Sequence, residues 1–159
     1  MDTSELPERS QIVLRNVLDA GLDTRVRELS DSAHTAVDAA RLLGCEVGAI
    51  ASSLLFIADG DPVLVMTSGR HRVDLPTLAT AIGAIEVRMA NAKEVRSITG
   101  QAIGGVAPVG HPRPISTVVD SSLGDYEQVW TAAGTPHTVM PLTFDGLIAL
   151  TKGTVLEVS

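Results

Sequence analysis

Two apolar runs, residues 49–58 and 63–67, are separated only by Asp59-Gly60-Asp61-Pro62. Asp-Gly between β-rich hydrophobic runs is a strong short-range signal for an antiparallel hairpin, because a two-residue turn needs positive φ that these residues tolerate. The rest of the fold has to be built around that pair. Upstream, residues 4–20 place Ile12, Leu14, Val17 and Leu18 on one stripe ahead of Gly21 and predict an amphipathic helix. Residues 25–29 alternate Val26 and Leu29 with charges and predict a short strand. Thr35 with Asp38, and Asn91 with Glu94, have capping-box spacing, and the helices they open end at Gly44 and Gly100. Asp74 with Pro76 opens another helix, closed by Gly83. Strands are expected at 115–119, 127–132 and 154–158, and a last helix at 143–151. Helices and strands are mixed without strict βαβ alternation. The expected class is therefore α/β or mixed α+β around one central sheet.

A chain of 159 residues fits a single domain, 1–159, with room for a core. Aromatic residues are 3%, so that core must be made of Ala, Val, Leu and Ile. The net charge of −7 argues against a broad phosphate-binding surface, so DNA is not an expected partner. It leaves open the recognition of one nucleic-acid end in a local pocket. The chain opens with no basic leader and apolar h-region, and no apolar run reaches membrane-spanning length. A cytoplasmic protein without a membrane partner is expected. The single cysteine, Cys45, excludes an intrachain disulfide and a cysteine-cluster metal site, and reads as a small buried apolar residue.

Residues 99–110, TGQAIGGVAPVG, hold four glycines and one proline and no charge. Solvated loops of this length carry Asp, Asn, Ser or Lys. Paired glycines let backbone come close to a neighbour without a Cβ in the way, so this segment is either a buried turn or the wall of a binding site. Its N–H groups, led by Gly104 and Gly105, suit a developing oxyanion, a role that needs no side chain. The histidines, His34, His71, His111 and His137, are not spaced as metal ligands, and neither a metal nor a cofactor is expected. His111 directly follows the glycine loop, and His137 lies in Gly-Thr-Pro-His at a second candidate pocket edge. No Gly-x-Ser-x-Gly elbow, P-loop lysine or dinucleotide-binding fingerprint is present.

Several blocks recur in a familiar order: Thr35-Ala36 with Ala39-Ala40 and Gly44, 50–56, 62–65, Val73-Asp74, Thr99-Gly100 with 104–110, and Asp120 ahead of a Val129 strand ending at Gly134. On these blocks residues 22–158, beyond a helix in 1–21, resemble the YbaK/EbsC family of free-standing prolyl-tRNA editing domains. The resemblance implies a curved, barrel-like mixed sheet flanked by helices. It also implies hydrolysis of the ester joining a wrong small amino acid to the 3′ end of tRNA, usually proline tRNA, with prolyl-tRNA synthetase as a possible partner. On this reading Ser52, Gly104 and Gly105 are the catalytic candidates. Substrate contacts fall on His34, Ser53, Val106, Ala107, Pro108, Gly110, His111, Asp120, Gly134 and His137.

Two positions depart from the family pattern. Ser52 stands where family deacylases carry a lysine, and is expected to face the 104–110 loop. Ala132 and Pro136 stand where a serine and an arginine are usual. A serine offers a neutral hydroxyl where lysine offers a fixed charge. The alternative reading is a non-catalytic module that binds a tRNA end, an aminoacyl-nucleotide or a synthetase.

Overall fold

Asp59 and Gly60 have φ of 49° and 87°, the left-handed pair that a type I′ hairpin turn requires. They join β2 (Ile50–Ala58) to β3 (Asp61–Ser68), which pair antiparallel from Ala58↔Asp61 to Ala51↔Ser68. The computed structural model describes residues 5–29 and 35–159. In chain order the other elements are α1 (Glu8–Asp19), β1 (Arg27–Glu28), α2 (Ala36–Leu43), α3 (Leu75–Ile82), β4 (Val87–Met89), α4 (Ala92–Thr99), β5 (Ser116–Asp120), β6 (Gln128–Ala132), β7 (Thr138–Thr143), α5 (Phe144–Thr151) and β8 (Thr154–Leu156). All strands join one mixed sheet in the order β1-β7-β6-β2-β3-β5-β8, with β4 added on β2. The expected α/β class, a mixed sheet flanked by helices, is borne out.

The helix signals act as read. The side chains of Thr35, Asp74 and Asn91 each accept a bond from a backbone N–H three residues on, and only Asn91–Glu94 closes both halves of its box. Gly44, Gly83 and Gly100 end their helices in the left-handed conformation.

Three expectations need correction. Helix α1 begins at Glu8 and buries Ser10, Val13, Leu14 and Val17, which follow the i, i+3, i+4, i+7 spacing. Ile12 and Leu18 lie off that stripe and are 44% and 48% exposed. The strand expected at 25–29 shrinks to Arg27–Glu28 on the edge of β7. Strands β4 and β7 were not expected at all. Proline hides β7: Pro141 lies opposite Trp130, with its nitrogen turned to the side of β7 beyond the end of β1, so no ladder bond is lost. Strand β4 is only three residues long, and the Asp59 carboxylate anchors its approach by accepting from the N–H groups of Ile85 and Glu86.

Strand β2 organises the core. Its odd residues, Ala51, Leu55 and Ile57, face one cluster with Leu64, Met66, Val106 and Ala107. Its even residues face two others: Phe56 and Ala58 pack with Val65 and Leu78, and Ile50 packs with Ala39, Ala40 and Trp130.

Candidate functional site at a split strand edge

One edge of β2 is fully used by β3. The other is shared: β6 pairs with it in parallel at Ile50 and Ala51, and β4 pairs antiparallel at Phe56, Ile57 and Ala58. Between them no strand among the described residues meets residues 52–55. Because Ala58↔Asp61 flanks a two-residue turn, even residues of β2 turn their peptide groups to β3 and odd residues turn theirs outward. The Ala90 N–H donates to the Leu55 carbonyl at the margin of the gap. The N–H and C=O of Ser53 and the N–H of Leu55 are left facing it. Buried peptide groups need partners, so a strand edge left open in this way calls for water or a ligand.

A cavity of about 280 Å³ fills this opening. That is close to the lower end, about 300 Å³, of small-molecule pockets. Its wall on one face of the sheet includes Ser53, Leu55, Val95, Val106 and Thr131, and on the other Ala36, Ala39, Ser52, Trp130 and Ala132. None of the described residues in the lining is ionisable. The Ser53 hydroxyl donates to the Met66 sulfur at 3.1 Å, and the Thr138 hydroxyl is 2.9 Å from that of Ser10 and 2.8 Å from that of Thr135. Among the described residues no group of three or more His, Cys, Asp or Glu is placed to hold a metal.

The glycine-rich loop closes one side, and the peptide N–H groups of Gly105 and Ala107 in it are committed. The Gly105 N–H donates to Ala102 O at 2.9 Å and the Ala107 N–H to Gln101 Oε1 at 2.9 Å. Gln101 is 2% exposed, and its amide also donates to Val109 O. His111 Nε2 lies 2.8 Å from Ala107 O and therefore carries the proton that bonds it. Burial pushes the His111 pKa below its ordinary value, partly offset by that bond. A Cβ on Gly105 would stand 2.5 Å from the Thr135 carbonyl carbon and 2.7 Å from Pro136 N. The close approach that selects glycine here is to the 135–136 turn.

Residues 30–150 match the family model for the aminoacyl-tRNA editing domain. The chain belongs to that family. This editing domain is 33% identical over 119 residues to YwhH, an uncharacterised protein of Bacillus subtilis, covering 74% of this chain and 75% of that one. It is 36% identical over 106 residues to the proline–tRNA ligase of Bacillus licheniformis, covering 64% of this chain and 18% of the ligase. A solved structure described as a candidate trans-editing enzyme for prolyl-tRNA synthetase superposes with a TM-score of 0.92 at 37% identity, covering 98% of this chain and 99% of that one. No helix among the described residues is long and apolar enough to cross a membrane.

Of the residues singled out in the sequence, Ser52, Ser53, Gly104 and Val106 line the cavity of this editing domain. Ser52 does not face the loop as expected: by strand alternation Ser53 shares a face with Val106 and Ala107, and Ser52 points to the α2 side. Gly105, Ala107, Pro108, Gly110 and His111 belong to the loop outside the lining. Gly110 and Gly134 back onto α1, where a Cβ would stand 3.1 Å from Val13 and from the Arg9 backbone respectively. Asp120, 1% exposed, bonds the N–H groups of Ser68 and Ser122 and the hydroxyl of Ser122, with His71 Nδ1 at 3.3 Å. Burial pushes its pKa up, but those donors and the His71 charge outweigh it and leave the pKa below the ordinary value. Asp120 thus ties the 68–71 turn to the turn after β5 and does not line the cavity. His137 is outside the lining, and its carbonyl receives the Leu29 N–H. His34 lies outside the described residues. Sequence reasoning passed over Trp130, Thr131 and Thr138. Their signal was the alternation of Trp130 and Thr131, which sends one side chain to each half of the cavity.

Proposed function

We propose that this editing domain hydrolyses the ester of a mischarged tRNA, most simply proline tRNA carrying a small wrong amino acid. The observation that carries the reading is the uncharged cavity at the split edge of β2. A small acyl group fits an apolar chamber walled by Leu55, Val95 and Val106. The ester carbonyl oxygen then accepts from the outward N–H of Ser53, a donor held in place by the sheet. Water adds to the carbonyl carbon, the bond to the ribose oxygen breaks, and the proton passes to that oxygen. With no ionisable residue among the described residues of the lining, the vicinal ribose hydroxyl and water carry the proton transfers. Hydrolysis in trans, the coupling to prolyl-tRNA synthetase and a cytoplasmic location follow from the same reading, supported by the relatives' descriptions.

The neutral lining also favours a second reading, a binding module that holds the tRNA end without cutting. One experiment separates them. Proline tRNA charged with alanine, cysteine, serine or proline is incubated with the protein, and ester loss is followed. Faster loss of one small noncognate ester, with prolyl-tRNA spared, supports the deacylase. Loss at the buffer rate for all four, with the tRNA still retained by the protein, supports the binding module.

A further inference from the structure

The substrate's terminal nucleotide bears a phosphate, yet no cation is found among the described residues that line the cavity, and Ser52 and Pro136 are both neutral. Cross-strand register supplies one from outside the lining. Ala132 lies opposite Val139, and Val139 lies opposite Arg27, so the three share one face of the sheet. Trp130, two residues before Ala132, is on that face too, half-buried against the α2 cluster. Trp130, Ala132 and Val139 all line the cavity, and Arg27 is the next position in the row. Arg27 is exposed and takes part in none of the ion pairs found among the described residues, whose cationic members are Arg41, Arg70, His71 and Arg88. Glu28 does not oppose it, because Glu28 pairs with the inward-facing Thr138. With about 3.3 Å per residue along a strand and about 4.8 Å between strands, the Trp130 and Arg27 backbones are about 12 Å apart. A nucleotide between an indole and an outstretched guanidinium spans that gap.

We propose that the substrate's terminal nucleotide, a nucleoside 5′-phosphate unit, seats on the β6–β7–β1 face with its base against Trp130 and its phosphate on Arg27. This assignment rests on the deacylase reading and names where the nucleotide half of that substrate goes. Stacking on an aromatic face tolerates any base, and a guanidinium pairs with phosphate in a two-pronged geometry. The cation absent at positions 52 and 136 is thereby replaced by one from β1.

Trp130 is the only tryptophan, so its fluorescence reports the site directly. Adenosine 5′-monophosphate and adenosine are titrated into the wild type, Arg27→Gln and Arg27→Lys, with thermal melts confirming that these exposed substitutions leave the fold intact. The expected result is saturable quenching, with the monophosphate about tenfold tighter than adenosine. Arg27→Gln abolishes the preference and Arg27→Lys keeps part of it. In deacylation, Arg27→Gln raises KM about tenfold with kcat unchanged, and Trp130→Phe retains a KM that Trp130→Ala loses. Equal affinity for the two ligands, or a preference that survives Arg27→Gln, overturns the assignment. Absence of quenching by either ligand while ester hydrolysis proceeds also overturns it and leaves the deacylase standing. A phosphate preference lost in Arg27→Gln without any hydrolysis upholds the nucleotide seat and overturns the deacylase.

Discussion

Replacing Gly105 with alanine tests whether the glycine-rich loop serves packing. The new Cβ would stand 2.5 Å from the carbonyl carbon of Thr135 and 2.7 Å from both Thr135 Cα and Pro136 N. Unbonded carbons settle at about 3.5–4.0 Å, so the overlap is about 1 Å. All three neighbours are backbone atoms, and no side chain can rotate away. Either the loop or the 135–136 turn must move by about that distance. Overpacking of this kind costs about 1–3 kcal/mol. For a chain of this size each kcal/mol lowers Tm by about 2–4 °C, giving an expected drop of about 2–12 °C. Because Gly104 and Pro136 both line the cavity, the shift also deforms the site. A displacement near 1 Å costs about 100-fold in rate where geometry is demanding. Gly104→Ala is the control: its φ of +88° strains an alanine, but the nearest atoms are 4.0 Å away. Its cost is about 1–2 kcal/mol of backbone strain with no displacement of the turn. Thermal melts followed by circular dichroism, with hydrolysis of alanyl-tRNA as the second readout, distinguish the two. If Gly105→Ala melts with the wild type and hydrolyses at its rate, the packing account of this glycine is refuted.

Two further outcomes follow from the site. His111 has a pKa lowered by burial, so the folded state resists protonation that the unfolded chain accepts. Its stabilising effect is complete above the unfolded value of about 6.5 and is lost as pH falls through the lowered folded value, so His111→Gln flattens the fall in Tm between about pH 7 and 5. Ser53→Pro removes the outward N–H without touching the β2–β3 ladder, a substitution strand edges accept. It is expected to lower kcat about 100-fold or more while Ser53→Ala keeps most activity, and equal rates for the two would eliminate the peptide N–H as a donor to the ester.

The elements legible in the sequence are those whose cause is local. Asp59-Gly60 dictates its own turn, and Asn91 with Glu94 closes a box within four residues, so hairpin and helix could be read without knowing their neighbours. Strand β7 could not, because Pro141 argues against a strand until it is known that β1 begins only at Arg27, opposite Val139, and leaves that side of β7 free at Pro141. Helix α1 was legible as a helix but not in its facing. Ser10 belongs to the buried stripe only because the Thr138 hydroxyl waits 2.9 Å away, a partner 128 residues distant.

The same division governs the site. Four glycine-loop and β2 residues that the sequence pointed to do line the cavity, and of the two readings their composition left open, close packing is the one that accounts for Gly105. Gly105 is small because the 135–136 turn presses on it, and its N–H is already bonded, as is that of Ala107. Those two N–H groups are therefore not free to receive an oxyanion. The sheet opens further peptide groups on β2, because β6 leaves that edge after Ala51 and β4 joins it only at Phe56. Nothing in the run Ser52-Ser53-Leu54-Leu55 announces this, since the gap is made by where two other strands end. A lysine at position 52 would have marked the site in the sequence. Without it, the proposed chemistry rests on peptide groups, which every residue carries and only the topology exposes.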